Sequence, residues 1–495
     1  MSKHFRPWKI DQTQLLPPSV QDFVDADHLA RFIVALVREE FDLAEINAGY
    51  SSPLGQPPFD PRLMVALLLY SYCSGIYASR RIAKACRERV DFMSIVALDP
   101  PDFRTISDFR KRHLKALAAL FLQVLQLCEK AGLVKLGHVA LDGTKIKANA
   151  SKHKAMSYAR MEARAAELEA EVAKWLAAAE AADAAEDVQH GATKTGATKT
   201  GDEMPKWVAD KKRRAEKIRQ AKAELEAEAK AAAEEKRKAE AEAEEQRRQE
   251  GRKKPGKPAA PTSDAPDAKA QKNFTDPESR IMKSKDGFIQ GYNGQAAVDG
   301  TAQIIVAQDV TQEAGDKQQL IPMTDAIMIN TGAKPDQLSA DNGYCSEVNL
   351  EGLETRGIDG YIATGRAKHA VGDASESETP VATFDAATVQ TSLDRPGMEQ
   401  ATIEALEPPT RTETMRQKIK AGGYESPYRL RKQLPEPVFG QIKEGRGFRQ
   451  FLLRGVEKVR GEWAIVCTAH NLLKLAKGRT LSAARLNPSE APVAA

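Results

Sequence analysis

Three carboxylates in this chain stand where an acid can do chemistry rather than solvate a surface. Asp142 closes the apolar run of "VALDGTK", Asp341 closes that of "LSADNGY", and each precedes a residue pair containing glycine. The pattern predicts a carboxylate at the point where a strand opens into a loop, the usual place for ligands in an α/β sheet. Taken singly, either acid also suits a turn or a cap. Brought close together they would repel unless a cation or a proton lay between them, and hard oxygen ligands suit Mg²⁺ or Mn²⁺. Glu436, in "LPEPVFGQIKE", offers a third acid. Pro435 and Pro437 flank it, which predicts the first turn of a helix, where the positive end of the macrodipole favours an ionised carboxylate. Gly440 and Lys443 follow at i+4 and i+7, so an acid, a glycine open to close approach and a cation for phosphate share one helix face.

Such acids need elements to hold them. Val139 and Leu141 alternate toward Asp142, and "GFIQGYNGQAAVDGTAQIIVAQDV" reads as two strands joined at Asp299-Gly300. A helix is expected after Asp316, then the short strand "QLSAD", a helix capped by Ser346, and the strand "DGYIATG". This is an α/β succession, similar to a mixed sheet of order 3-2-1-4-5, in which the first and fourth strands are neighbours and Asp142 meets Asp341.

Around that core, residues 1–135 read as an all-helical N-terminal region. Asp60 and Pro61 open one helix, which stops near Gly75. A basic helix restarts after Ser79, with Ile82, Ala83 and Cys86 on one face and Arg80, Arg81, Lys84 and Arg87 around the rest. Thr105 with Asp108 resembles a capping box that opens a long helix ending near Gly132. Short helices joined by a turn, the second one basic, fit a helix-turn-helix DNA reader or a plain helical bundle. Residues 136–154 and 273–366 carry the first and central parts of the α/β domain and 411–478 its C-terminal part, with a mobile acidic loop at 367–410 and a loose tail at 479–495.

Residues 155–272 are an insertion rich in Ala, Glu and Lys. Tyr158, Met161, Ala165, Leu168, Val172 and Trp175 recur at spacings of three and four, as do Ala215, Ile218 and Leu225 in part, with "GATKTGATKTG" between them. The expectation is an antiparallel helical hairpin followed by a disordered Pro-rich linker, serving either as a solvated arm or as an arm for DNA or a partner subunit.

The 495 residues carry a formal net charge of only +4, so global charge neither demands nor excludes a polyanionic partner. The charged start "MSKHFRPWKI" and the short apolar run "LMVALLLY" exclude a secretory signal and a membrane span and predict a cytoplasmic protein. Cys73, Cys86, Cys128, Cys345 and Cys467 lack C-x-x-C spacing, which argues against a zinc site or a disulfide framework.

The run "YRLRKQLPEPVFGQIK" resembles the Y-x2-R-x3-E-x6-K signature of DDE transposases from bacterial insertion sequences. Tyr428, Arg431, Glu436 and Lys443 fall on it with one departure: Arg431 lies one residue too far from Glu436, and Lys432 has the stated spacing. "ALDGTKIKANAS" and "ADNGY" resemble the family's two aspartate motifs, and the stretch from "PFDPRLM" to "FRKRH" is similar to its N-terminal helical domain. The resemblance implies a ribonuclease-H-like fold and an element-encoded enzyme that binds its own terminal inverted repeats in double-stranded DNA, cleaves there and joins 3′-hydroxyls to target DNA. It further implies two Mg²⁺ or Mn²⁺ ions held by Asp142, Asp341 and Glu436, with Asp142 bridging. Lys443 would meet a phosphate, Arg431 or Lys432 would grip the backbone, and Tyr428 would stack on a base, hold a phosphate or simply pack. Arg80, Arg81 and Arg87 are candidates for end recognition, beside basic stretches at 110–113 and 429–460. A dimer or larger assembly on DNA, at the bacterial nucleoid, follows from the same resemblance. Two other readings stay open: a metal-dependent nuclease of this fold that cuts without joining, and a catalytically silent DNA-binding or helical scaffold.

Overall fold

A computed structural model of the chain describes residues 19–50, 57–151, 154–190, 206–249, 263–284, 287–365 and 409–486. The "GATKTGATKTG" repeat, most of the Pro-rich segment, the acidic loop through residue 408 and the last nine residues lie outside them.

The helical region comprises α1 (Leu29–Glu39), α2 (Ala44–Ala48), α3 (Pro61–Cys73), α4 (Ser79–Glu88), α5 (Val90–Val96), α6 (Phe103–Arg112) and α7 (Leu114–Lys130). Asp60 caps α3 by accepting from the Arg62 amide, with Pro61 at the first helical position. From Met64 to Cys73 every α3 residue is buried, as an all-round apolar helix must be. The long helix expected from Thr105 is in fact two. Asp102, not Thr105, is the cap, accepting from the Arg104 amide at 2.8 Å, and the chain breaks at His113. There the buried imidazole stacks on Tyr50 and tilts against Phe109, so packing of the ring outweighs continuity of the helix.

The main sheet contains β1 (His138–Lys147), β4 (Arg280–Ser284), β5 (Gly287–Asp299), β6 (Ile305–Thr311), β7 (Gln337–Ala340) and β8 (Asp359–Ile362). Its strands run β6-β5-β1-β7-β8, with β4 also paired to β5. β1 is antiparallel to β5 and parallel to β7, and β8 is parallel to β7. The β5–β6 turn is fixed by the Asp299 carboxylate, which accepts from the Thr301 and Leu136 amides. The strand pattern read from the sequence has no counterpart of β4, nor of the small β2 (Ala155–Ser157) and β3 (Gln271–Asn273) pair at the root of the insertion.

α10 (Leu320–Thr331) packs on β6, and α11 (Glu347–Thr355) on α10 and β8. Beyond them come α12 (Arg411–Gly422), α13 (Leu430–Gln433), α14 (Pro435–Gly440), a π turn at Gln441–Gly445 and α15 (Val456–Leu486). α15 lies against α7, α3 and β6 at once, so helical region and sheet share one apolar core. It also runs eight residues into the segment read as a loose tail from 479. Trp463 of α15 donates its indole N–H to the Gln295 carbonyl at 3.0 Å. Gly294 makes that approach possible, since a Cβ there would sit 3.2 Å from the indole ring.

The insertion forms α8 (Tyr158–His190) and α9 (Lys206–Gln249). Met161, Ala165 and Leu168 meet Ala215, Ile218, Ala221 and Leu225 in a separate small core. Ion pairs Glu171–Lys211, Glu169–Arg219 and Glu162–Lys222 fix the antiparallel register. Lys272 of β3, buried, ties the root to Glu224 and Glu228 of α9. Among the described residues no helix is long and apolar enough to cross a membrane, and all five cysteines are free.

Candidate active site

Asp142 is not at the end of its strand. β1 continues to Lys147, paired with β5 throughout, while β7 stays beside it only as far as Ala140↔Ser339. The strand outlasts its expected end because the long β5 supplies a partner for every residue up to Lys147. Asp142 therefore opens the stretch of β1 edge that β7 leaves uncovered. Carrying the same register two residues on brings Asp341 level with it. The two predicted aspartates thus stand at one level, Asp142 within β1 and Asp341 just past the end of β7.

Both carboxylates are held by the backbone nearby. Gly143 donates its amide to Asp142 Oδ1 at 2.8 Å, and Gly343 donates to Asp341 Oδ1 at 2.7 Å, capping the turn Asn342–Tyr344. Arg431 Nη1 lies 3.7 Å from Asp142 Oδ2. Burial pushes the Asp142 carboxyl up, Arg431 pulls it down, and Asp341 and Asp316 push it up further, leaving it at about 6.

Asp316 is the acid that sequence reasoning missed, having seen it only as a helix start. Its carboxylate accepts from Asn293 Nδ2 at 2.5 Å and Gln295 Nε2 at 2.8 Å, with Lys145 Nζ at 3.4 Å. A signal existed in "YNGQAAV": two amides, Asn293 and Gln295, stand on one face of an otherwise apolar strand and must find buried polar partners. Gln295 also accepts a hydrogen bond from the buried Tyr344 hydroxyl. That links Asp316 to the turn that carries Asp341.

Glu436 sits in the first turn of α14, as expected, and α14 packs against β1 and β5. Its side chain is exposed and makes no hydrogen bond or ion pair among the described residues. The structure does not gather it with the two aspartates. Among the described residues no three His, Cys, Asp or Glu side chains form a ready cage for a metal ion. The donor chemistry nonetheless suits a divalent cation, because the charges of Asp341 and Asp316 bear on the largely buried Asp142 with only long contacts to Arg431 and Lys145 to balance them.

The cations of the C-terminal segment divide by burial. Arg431 turns inward onto Asp142 with the Tyr428 ring 5.9 Å from its Cζ, whereas Lys432 is exposed. Lys443 donates to the Lys145 carbonyl at 2.8 Å, fastening the π turn to β1. In the helical region, Arg80, Arg81 and Arg87 are exposed on α4. Arg80 lies over the Phe103 ring at 5.0 Å beside a cavity of about 500 Å³ lined also by Arg104, Ser107 and Lys111. The basic stretch at 110–113 is thinner than read: Arg110 is buried, donating to the Tyr72 hydroxyl and the Tyr77 carbonyl, and His113 is buried too. Those two hydrogen bonds commit the Arg110 guanidinium to a phenol and a backbone carbonyl rather than to an open basic surface.

Two family models match the chain. One, described as "Transposase domain (DUF772)", covers residues 18–112, and the other, "Transposase DDE domain", covers 398–476. Both matches, one at each end of the chain, are consistent with a DDE transposase. Neither the curated proteins nor the solved structures contain a significant match to it. The first match takes in α1 to α6 with the Phe103 cavity, and the second takes in Arg431, Glu436 and most of α15. Asp142, Asp316 and Asp341 lie between the two, where only the geometry speaks for them.

Proposed function

We propose that this chain is a DNA transposase that cleaves DNA at the terminal inverted repeats of its own insertion sequence and joins the resulting 3′-hydroxyls to target DNA. On this reading the sheet, α10, α11 and α15 are a ribonuclease-H-like catalytic core, and Asp142, Asp341 and Glu436 are ligands for two Mg²⁺ or Mn²⁺ ions. Bound there, the ions supply charge to the attacking and the leaving oxygens of an in-line phosphoryl transfer. Asp142 and Asp341 furnish fixed hard-oxygen donors, backed by the Gly143 and Gly343 amides. Glu436, exposed and without a partner among the described residues, would offer its free carboxylate as the third ligand. Arg431 holds positive charge against Asp142 and, when DNA enters, shares it with the phosphate. Tyr428 flanks that guanidinium, Lys432 offers an exposed cation next to it, and Lys443 keeps the segment bound to β1. Arg80, Arg81 and Arg87 bind the element ends on duplex DNA, and two ends require at least a dimer on the DNA.

The observation that carries this reading is the placement of Asp341, one residue past β7, level with Asp142 when the β1–β7 register is extended, with Arg431 turned onto Asp142. Incubating the purified protein with labelled element-end DNA, target DNA and Mg²⁺ tests it. Cleavage and joining are expected together, and Asp142→Asn is expected to lose both while still shifting end DNA in a gel. Cleavage without joined product would instead favour a nuclease of the same fold, and an Asp142→Asn protein that still cleaves would refute the site.

A further inference from the structure

The centre holds one more acid than the proposed ligand set uses. Asp316 Oδ1 is anchored by Asn293 and Gln295, whereas Oδ2 meets, among the described residues, only Lys145 Nζ at 3.4 Å, which lies as far from Oδ1. That oxygen lies beside the turn that carries Asp341: a Cβ placed on Gly343 would lie 3.5 Å from Asp316 Oδ2 and 2.9 Å from Asp341 Oδ1. On the Asp142 side, a Cβ on Gly143 would lie 2.5 Å from Asp316 Oδ1. Asp316 thus stands between the residues flanking both aspartates. A second observation is independent of the acids. Asn293 is fully buried, its Oδ1 has no hydrogen-bond partner among the described residues, and that oxygen lies beside Asp316 Oδ1, 2.9 Å from where a Cβ on Gly143 would sit. A buried carbonyl oxygen left without a donor, next to a carboxylate balanced by one loosely held ammonium, is a set of oxygens lacking positive charge.

We propose that Asp316 is a further cation ligand of this centre, with Lys145 occupying the place of positive charge until a divalent ion binds and displaces it. The proposal rests on the two-ion reading of Asp142 and Asp341, to which it adds a residue and a competitor. Lys145 leaves Asp316 without any covalent change, so ion binding and lysine release are one exchange. A purely structural Lys145 and a competing Lys145 then make opposite predictions: removing a structural lysine loosens the site, while removing a competitor strengthens cation binding.

The test is Mn²⁺ binding to the full-length protein, read by electron paramagnetic resonance of free Mn²⁺, without DNA and without reference to activity. Asp316→Asn is expected to weaken binding by at least about tenfold, and Lys145→Met to tighten it. Wild-type affinity in Asp316→Asn, with affinity lost in Asp142→Asn, would overturn the assignment of Asp316 while leaving the parent reading intact. Unchanged affinity in Asp142→Asn would overturn that reading and this one with it. Should Asp316→Asn fail to fold, Lys145→Met decides alone: tighter binding supports the exchange, and equal or weaker binding refutes it.

Discussion

The helical arm and the centre of the sheet both set carboxylates against Lys and Arg, and use them in opposite ways. In the arm, Glu171 meets Lys211 at 2.5 Å, Glu169 meets Arg219 at 2.6 Å and Glu162 meets Lys222 at 3.0 Å, all in reach of solvent. Hydrogen bonds from Lys211 and Arg219 hold the Glu171 and Glu169 carboxyls below their ordinary range. In the centre, Asp142 is largely buried, Arg431 stands off at 3.7 Å, and two other aspartates press on it, so its carboxyl rises to about 6. Matched charges at the surface set register and contribute little else. Unmatched charges inside a fold cost stability and persist where a ligand completes them.

The largest effect that would sharpen this contrast is at Asp341. Asp341→Asn is expected to lower end cleavage by at least about a hundredfold, the scale for removing a group that stabilises transition-state charge, with circular dichroism unchanged. Next comes Glu462 of α15, fully buried and near Arg110, whose carboxylate accepts from the Leu452 and Leu453 amides. Burial raises it from 4.5 to about 7. Between those values the folded protein keeps a proton that the unfolded chain has released, so stability falls as pH rises through this window. Chemical denaturation from pH 4.5 to 7 should show that decline, and Glu462→Gln should flatten it. A profile equally steep in the variant would remove Glu462 as its source.

Changing Arg80, Arg81 and Arg87 together to Ala should weaken end binding and reduce the salt slope of log K by about 0.9 for each phosphate these side chains neutralise. A mobility-shift titration at several salt concentrations reads it, and an unchanged slope would move the DNA surface away from α4. The smallest effect belongs to the arm. Lys211→Ala should cost less than about 1 kcal/mol in thermal unfolding, and a greater cost would mean that the arm's charges do more than set register.

Where local chemistry decided the structure, the sequence was a sufficient guide. Asp60 and Pro61 opened α3, Ser346 capped α11, and the three-four spacing from Met161 to Leu168 packed against Ala215, Ile218 and Leu225. What pairing across the sheet decided was less legible. Asp142 reads as a strand end because glycine follows it, yet β5 continues alongside and keeps Gly143 in the strand. Arg110 reads as surface because its neighbours are basic, yet Tyr72 and Tyr77 hold it inside. Asp316 lies well apart in sequence from both aspartates, and only the fold of β5 brings Asn293 and Gln295 to it. The departure in the signature, where Arg431 and Lys432 compete for one role, is likewise a matter of side-chain direction: Arg431 faces Asp142 and Lys432 faces solvent.

The central claim is that Asp341, level with Asp142, holds a catalytic cation. Asp341→Cys exchanges a hard oxygen for a thiolate that tolerates Mn²⁺ better than Mg²⁺. End cleavage by this variant is expected to vanish in Mg²⁺ and return in Mn²⁺, while the native protein works in either. Cleavage at the native rate in Mg²⁺ would contradict the account.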